Sequence, residues 1–176
     1  VHGIVAAHRG AISVRSKSGR GSSFTVHLPA TEPEGLPQAP PPPQGGVPLG
    51  QGQHVLYVDD DEVMAVMVEG LLTSIGYRAT VQGRPAKAVA AVRAKPQAYD
   101  VVVTDFNMPG MSGLDVVREL ATIRPDLPVI ISSGYLSDEL RAEAALFGVV
   151  ELMAKENSVL ELPLRLHRVL NPSAAE

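Results

Sequence analysis

Four groups of side chains in this sequence could share one piece of chemistry. Asp59-Asp60-Asp61-Glu62 follows the apolar run HVLYV, and Asp105 follows VVVT just before the turn Asn107-Met108-Pro109-Gly110. Ser132 and Ser133 follow PVII, and Lys155 follows the strand run 149–154. Two or three carboxylates side by side suit a cation that takes only oxygen ligands and keeps some of its waters, which means Mg²⁺. A metal, a hydroxyl and an ammonium around a carboxylate are what phosphoryl transfer needs. The cations neutralise the transferring oxygens and the carboxylate can act as nucleophile. Each residue alone has a duller role. Asp60 or Asp61 could cap a helix, Asp105 could be turn chemistry, Ser133 could cap a loop, and Lys155 could be a solvated amine. Their shared position at the ends of strand runs is what carries the chemical reading.

The elements that must position them follow from hydrophobic periodicity. HVLYV reads as a buried strand, followed by Val63, Val66, Met67, Gly70, Leu71 and Ile75 at helical spacing. The remaining pattern is a strand over 78–81, a helix over 86–94, a strand over 101–104 and a helix over 114–123. It ends with a strand over 128–132, a helix over 139–147, a strand over 149–154 and a helix over 159–170. Five strands alternating with five helices make an α/β fold, a parallel sheet covered on both faces. In such a sheet ligands bind beyond the carboxyl ends of the strands. The second strand ends in Gln82 and Gly83, which add nothing to that rim. The five histidines lack metal-ligand spacing, and the five methionines read as core or loop packing.

Composition bounds the rest. The chain has 176 residues and a net charge of −4, which excludes a basic nucleic-acid footprint as its main function. No apolar run approaches the roughly 18 residues needed to span a bilayer, so no membrane contact is expected of this chain. The absence of cysteine removes disulfides and thiolate chemistry, and fits a cytoplasmic location. The first residue is Val1 rather than Met, which reads as a piece of something longer. Residues 1–31 carry four basic residues and no acids, while 54–176 carry eleven basic and seventeen acidic ones. Between these stretches, eight of the fifteen prolines fall in 29–48, as expected of an extended tether.

Residues 54–170 resemble the receiver domain of two-component response regulators. The matching pieces are HVLYVDDDE, VVVTDFNMPGMSG, LPVIISSGY and the lysine after the fifth strand run. The resemblance implies a doubly wound, flavodoxin-like sheet with strand order 2-1-3-4-5. It also implies that Asp59, Asp60, Asp105 and the Asn107 carbonyl hold Mg²⁺, and that Asp105 takes a phosphoryl group from a phosphohistidine. Ser133 and Lys155 would bind the phosphoryl oxygens; Ser132 lies one residue too close to Pro128 for that spacing. Two departures stand out. Glu156 replaces the proline usual after the lysine, so a trans bond is expected there, with a carboxylate competing for the ammonium. Leu152 replaces the aromatic switch residue usual three positions before the lysine, which leaves Tyr135 or Phe106 as substitutes.

VHGIVAAHRGAISVRSKSGRGSSFTVHLP is similar to the end of the ATPase domain of histidine kinases, with Gly19, Gly21 and Ser22 in its closing motif. That likeness implies a hybrid histidine kinase as parent. The asparagine, glycine loop and histidine box of such a kinase are missing here, so no complete ATP site or kinase activity is expected of this chain. The implied organisation is an ATPase remnant over 1–30, consisting of a helix and two strands, then a linker over 31–53, a receiver over 54–171 and a tail over 172–176. The expected partner is a histidine kinase core, in cis or in trans, or a histidine phosphotransfer protein. Two alternatives remain. One is a phosphatase similar to the haloacid dehalogenase type, with Asp59 as nucleophile, which leaves Asp105 and its loop unexplained. The other is a receiver-shaped binding module that never accepts phosphate.

Overall fold

The computed structural model describes residues 5, 9–17, 19, 21–30, 49–155 and 158–171. They fall into two compact units, one within residues 1–44 and the other within 45–176. The first contains an antiparallel pair, β1 (Ala11–Lys17) and β2 (Gly21–His27), in register from Ala11↔His27 to Lys17↔Gly21. Gly19 and Gly21 turn the chain between them at φ 73° and 84°. The cross-strand pair Val14 and Phe24 stays exposed. Apart from Val5, which is helical, the helix expected before this hairpin lies outside the described residues, as do residues 31–48 of the expected linker and the tail over 172–176.

The second unit runs β3 (His54–Val58), α1 (Glu62–Ser74), β4 (Arg78–Gln82), α2 (Pro85–Ala94), β5 (Val101–Asp105) and α3 (Gly113–Ile123). It continues with β6 (Val129–Ser133), α4 (Asp138–Leu146), β7 (Glu151–Ala154) and α5 (Ser158–Leu170). All five strands are parallel, in the order β4-β3-β5-β6-β7. This is the doubly wound α/β sheet expected from the alternating pattern. The strand order reverses between β3 and β5, which is where such a sheet opens a crevice.

Four of the five strands shift by one or two residues from the periodicity reading. β4 and β5 each run one residue further, to Gln82 and Asp105, and the shifts of the last two strands have a backbone cause. The fourth strand of this sheet is Val129–Ser133 rather than 128–132, because Pro128 has no N–H to give and only its carbonyl accepts, from Val102 N at 3.0 Å. The last strand begins at Glu151 rather than 149. Val149 N is drawn instead to Ala144 O at 3.1 Å, closing α4 with Gly148 in the left-handed region at φ 72°.

Period-two alternation divides the strand side chains between two cores. Leu56, Val58, Val102, Val129 and Ile131 pack with α2, α3 and α4. Val55, Tyr57, Val101, Val103, Ile130 and Met153 pack with Val68 and Leu72 of α1 and Leu162 and Leu166 of α5. This second face decides the site, since Asp59 and Asp105 continue its alternation beyond Tyr57 and Val103.

Candidate functional site

Asp59 leaves β3 and Asp105 ends β5, on the two strands flanking the reversal point. Both are buried, at 1% and 4% exposure, whereas Asp60 turns outward into solvent. Each of the three offers a carboxylate oxygen within 4.8 Å of the others. Oxygen-only donors at that spacing, two fixed in a buried wall and one on the solvent side, fit a hard divalent cation that keeps part of its water shell. The next residue, Asp61, is spent differently. Its side chain accepts from Val63 N and Met64 N at 2.9 and 3.1 Å and N-caps α1.

Lys155, just past β7, reaches over to both buried carboxylates. Its Nζ lies 2.9 Å from Asp105 Oδ2, 3.1 Å from Asp59 Oδ1 and 3.0 Å from Asp59 Oδ2. Burial lowers the lysine's proton affinity, but the hydrogen bonds and charges of Asp105 and Asp59 outweigh it and hold the ammonium above its ordinary range. Burial pushes the Asp105 carboxyl up. The hydrogen bond and charge of Lys155 pull against that shift, and the charge of Asp59 adds to it. Among the described residues the cluster is thus an anionic pocket that holds the ammonium of Lys155.

Sequence reasoning missed Tyr57. Its hydroxyl donates to Asp59 Oδ2 at 3.0 Å from beneath the pocket. Burial, then the charge and hydrogen bond of Asp59, push this phenol far above its ordinary range, so it stays a donor. The available signal was strand alternation, which places residues i and i+2 on one face. With Asp61 N donating to Asp59 Oδ1 at 3.0 Å, three donors fix the Asp59 carboxylate.

The loop after β5 is built by close packing. Phe106 N donates to Ser132 O at 2.8 Å, and Gly113 N returns to Phe106 O at 2.9 Å. A Cβ on Gly113 would come within 2.6 Å of the Asp105 carbonyl oxygen, so only glycine lets the loop close this tightly. Met108 anchors the loop in the core, and Ser112 caps α3 through a reciprocal box with Asp115.

The other expected site residues lie around a groove of about 280 Å³ shared by Phe106, Asn107, Ser133 and Tyr135. The Ser133 hydroxyl is engaged with the loop. It donates to Tyr135 O at 2.9 Å and lies 3.3 Å from Tyr135 N, and no hydrogen bond joins it to Asp105. Tyr135 is 76% exposed, while Phe106 and Leu152 are half-buried against the core of α2, α3 and α4. Glu156, and with it the expected trans bond after Lys155, lies outside the described residues. Gly19, Gly21 and Ser22 belong to the first unit, where Ser22 Oγ is 2.8 Å from Ser16 Oγ.

Comparison with known proteins converges on this region. A family model described as the response regulator receiver domain matches residues 55–167. The chain is 39% identical over 121 residues to the probable transcriptional regulatory protein TcrX of Mycobacterium tuberculosis, covering 69% of this chain and 51% of that protein. It is 31% identical over 111 residues to the two-component response regulator ARR12 of Arabidopsis thaliana, covering 63% of this chain and 18% of that protein. Thus it spans about half or less of these relatives. Among solved structures, chemotaxis protein CheY4 of Vibrio cholerae superposes with a TM-score of 0.63 at 26% identity, covering 68% of this chain and 99% of that one. The receiver domain of Francisella response regulator 1452 does so with a TM-score of 0.63 at 27% identity, covering 69% and 99%. These relatives are described as regulators rather than hybrid kinases, and the family match does not reach residues 1–30.

Proposed function

The chain belongs to the response regulator receiver family of two-component signalling, and on that premise we propose that Asp105 is its phosphoacceptor. The donor is a phosphohistidine on a histidine kinase or phosphotransfer protein. An Asp105 carboxylate oxygen forms the new bond to phosphorus, the phosphorus–nitrogen bond breaks, and the imidazole leaves as its proton is restored. The observation that carries this reading is the ammonium of Lys155 held at 2.9 Å from a buried, strand-end carboxylate. A nucleophile so placed is oriented and shielded, and a cation already stands where negative charge will grow.

Asp59, Asp60, Asp105 and the Asn107 carbonyl would hold Mg²⁺, which when bound neutralises the oxygens of the transferring group. Asp59 is fixed for that task by Tyr57, Asp61 N and Lys155, and Asp60 closes the site from the solvent side. Lys155 would then shift toward the phosphoryl oxygens. Ser133 would exchange its bond to the Tyr135 carbonyl for one to the same group, coupling the loop before α4 to the acceptor. Three donors on Asp59 leave it poorly suited as the nucleophile of a phosphatase, and family membership removes the ground for that alternative.

The longer protein is proposed to be a hybrid histidine kinase acting in the cytoplasm. In that reading residues 1–30 are the end of its ATPase domain, 31–53 a tether, 54–171 the receiver and 172–176 a tail. The motif around Gly19, Gly21 and Ser22 supports it. The central test is intact-mass spectrometry after acetyl phosphate and Mg²⁺. One added phosphoryl group is expected, and none in Asp105→Asn. A chain that takes no phosphoryl group from acetyl phosphate or from a phosphohistidine donor is a binding module instead.

A further inference from the structure

β6 ends in two serines, and the function proposed above uses only the second. Alternation puts Ser133 on the face of Ile131, but Ser132 on the face of Ile130, with Tyr57, Val103 and Met153. There Ser132 is in register with Asp105 on one side and Met153 on the other. Adjacent strands stand about 4.8 Å apart, so Ser132 is the immediate cross-strand neighbour of Asp105. It is 1% exposed, and its Oγ has no hydrogen-bond partner among the described residues. Its carbonyl is tied to Phe106 N, so the backbone is fixed and the hydroxyl is the loose end. A buried hydroxyl without a partner costs free energy that an alanine at the same place would not.

The acceptor oxygen it lacks lies next door, in use. Lys155 Nζ holds Asp105 Oδ2 at 2.9 Å. A phosphoryl group on Asp105 would draw that ammonium to its own, more highly charged oxygens. We propose that Ser132 is a second hydroxyl of this site, a positioning residue unpartnered in the unphosphorylated chain that donates to the acyl oxygen of Asp105 once the phosphoryl group has drawn Lys155 away. A group whose partner exists in one state only shifts the equilibrium toward that state. Ser132 therefore destabilises the resting fold and favours the phosphorylated one. This inference rests on Asp105 as phosphoacceptor.

The experiment uses the full chain, with beryllofluoride as a phosphoryl analogue at saturating Mg²⁺, followed by thermal unfolding and by tyrosine fluorescence titration. Ser132→Ala should melt at or above the wild-type temperature without ligand, yet bind beryllofluoride roughly three- to tenfold more weakly, the size of one net hydrogen bond. Ser132→Thr, which keeps the hydroxyl, should retain wild-type affinity. A lower ligand-free melting temperature for Ser132→Ala together with unchanged beryllofluoride affinity would overturn the proposal, since the hydroxyl would then serve the resting fold. A wild-type response lost in Asp105→Asn but intact in Ser132→Ala also sinks the Ser132 role alone. Equal beryllofluoride binding by wild type and Asp105→Asn sinks the phosphoacceptor reading, and this proposal with it.

Discussion

Lys155 Nζ meets Asp105 Oδ2 at 2.9 Å although the strands that carry them are not neighbours, because β6 lies between β5 and β7. The lysine stem crosses that strand to put one positive charge between two buried carboxylates. Truncation to alanine would leave Asp59 and Asp105 facing each other, a like-charge pair in a poorly hydrated pocket. Because the Lys155 side chain keeps 26% of its exposure, the loss is expected at about 1–2 kcal/mol rather than that of a fully buried pair. Millimolar Mg²⁺ should restore part of it. Urea unfolding of Lys155→Ala with and without Mg²⁺ checks both statements, and a variant as stable as wild type without metal would mean that the pocket carboxylates do not repel.

The same pocket sets a pH dependence. Burial raises the Asp105 pKa above its ordinary 3.8, so between that value and the raised one the native state holds more protons than the unfolded chain. Stability contributed by this group therefore falls as pH rises through that window. Asp105→Asn removes the charge, so the metal-free variant should melt a few degrees above wild type at pH 7. The gain should shrink as pH drops toward 3.8, where wild-type Asp105 protonates by itself. Lys155 acts at the other end. Its pKa is raised, so its contribution is complete below 10.5 and is lost as pH rises through the higher folded value. Melting curves of both proteins across pH 3.5–8 test the acid side, and a constant difference would contradict it.

How far the site was legible depended on which physical rule placed each residue. Asp59 and Asp105 end apolar strand runs, and a parallel sheet delivers strand ends to one rim, so their meeting followed from order alone. The opposed fates of Asp60 and Asp61 did not. Which of them caps α1 is decided by the extended backbone at Asp61, φ −80° and ψ 104°, which no residue type specifies. Tyr57 looked like core because its ring is core; only its hydroxyl belongs to the site. Ser133 sits at the expected strand end, yet its hydroxyl direction is set by the loop backbone at Tyr135. The boundary errors at Pro128 and Val149 have the same origin, a backbone N–H that is missing in one case and drawn to a helix end in the other.

The amino-terminal unit should be dispensable, but only up to a definite residue. Gly50 N donates to Ile75 O at 2.7 Å and Gly52 N to Gly76 O at 2.9 Å, which ties residues 50–52 of the second unit to the end of α1. A Cβ on Gly50 would come within 2.7 Å of the Tyr77 ring, so the backbone lies directly on that side chain. Deleting residues 1–48 should leave the melting temperature and the phosphorylation of Asp105 unchanged. Deleting 1–52 should cost about 1–3 kcal/mol, from two backbone bonds and the uncovered Tyr77 ring. If both truncations melt alike, the contact at Gly50 carries no stability.

Asp60 and Asp61 are adjacent and chemically identical, yet their substitutions should separate cleanly. Asp60 is exposed and faces the other two carboxylates, so in the metal-free protein Asp60→Ala relieves repulsion and should change stability by no more than about 0.5 kcal/mol. Its loss should appear when Mg²⁺ is added. A ligand bound only by the native state stabilises by RT ln(1 + [L]/Kd), and removing one of three carboxylates should abolish most of that gain. Asp61 behaves oppositely. It caps α1 through Val63 N and Met64 N, so Asp61→Ala should cost about 1 kcal/mol, the same with or without metal. Melting temperatures of the two variants and wild type across a Mg²⁺ titration give the comparison. Parallel curves for wild type and Asp61→Ala, with a flat one for Asp60→Ala, are the expected result. A Mg²⁺ response that survives Asp60→Ala and disappears in Asp61→Ala would move the metal site to the helix terminus.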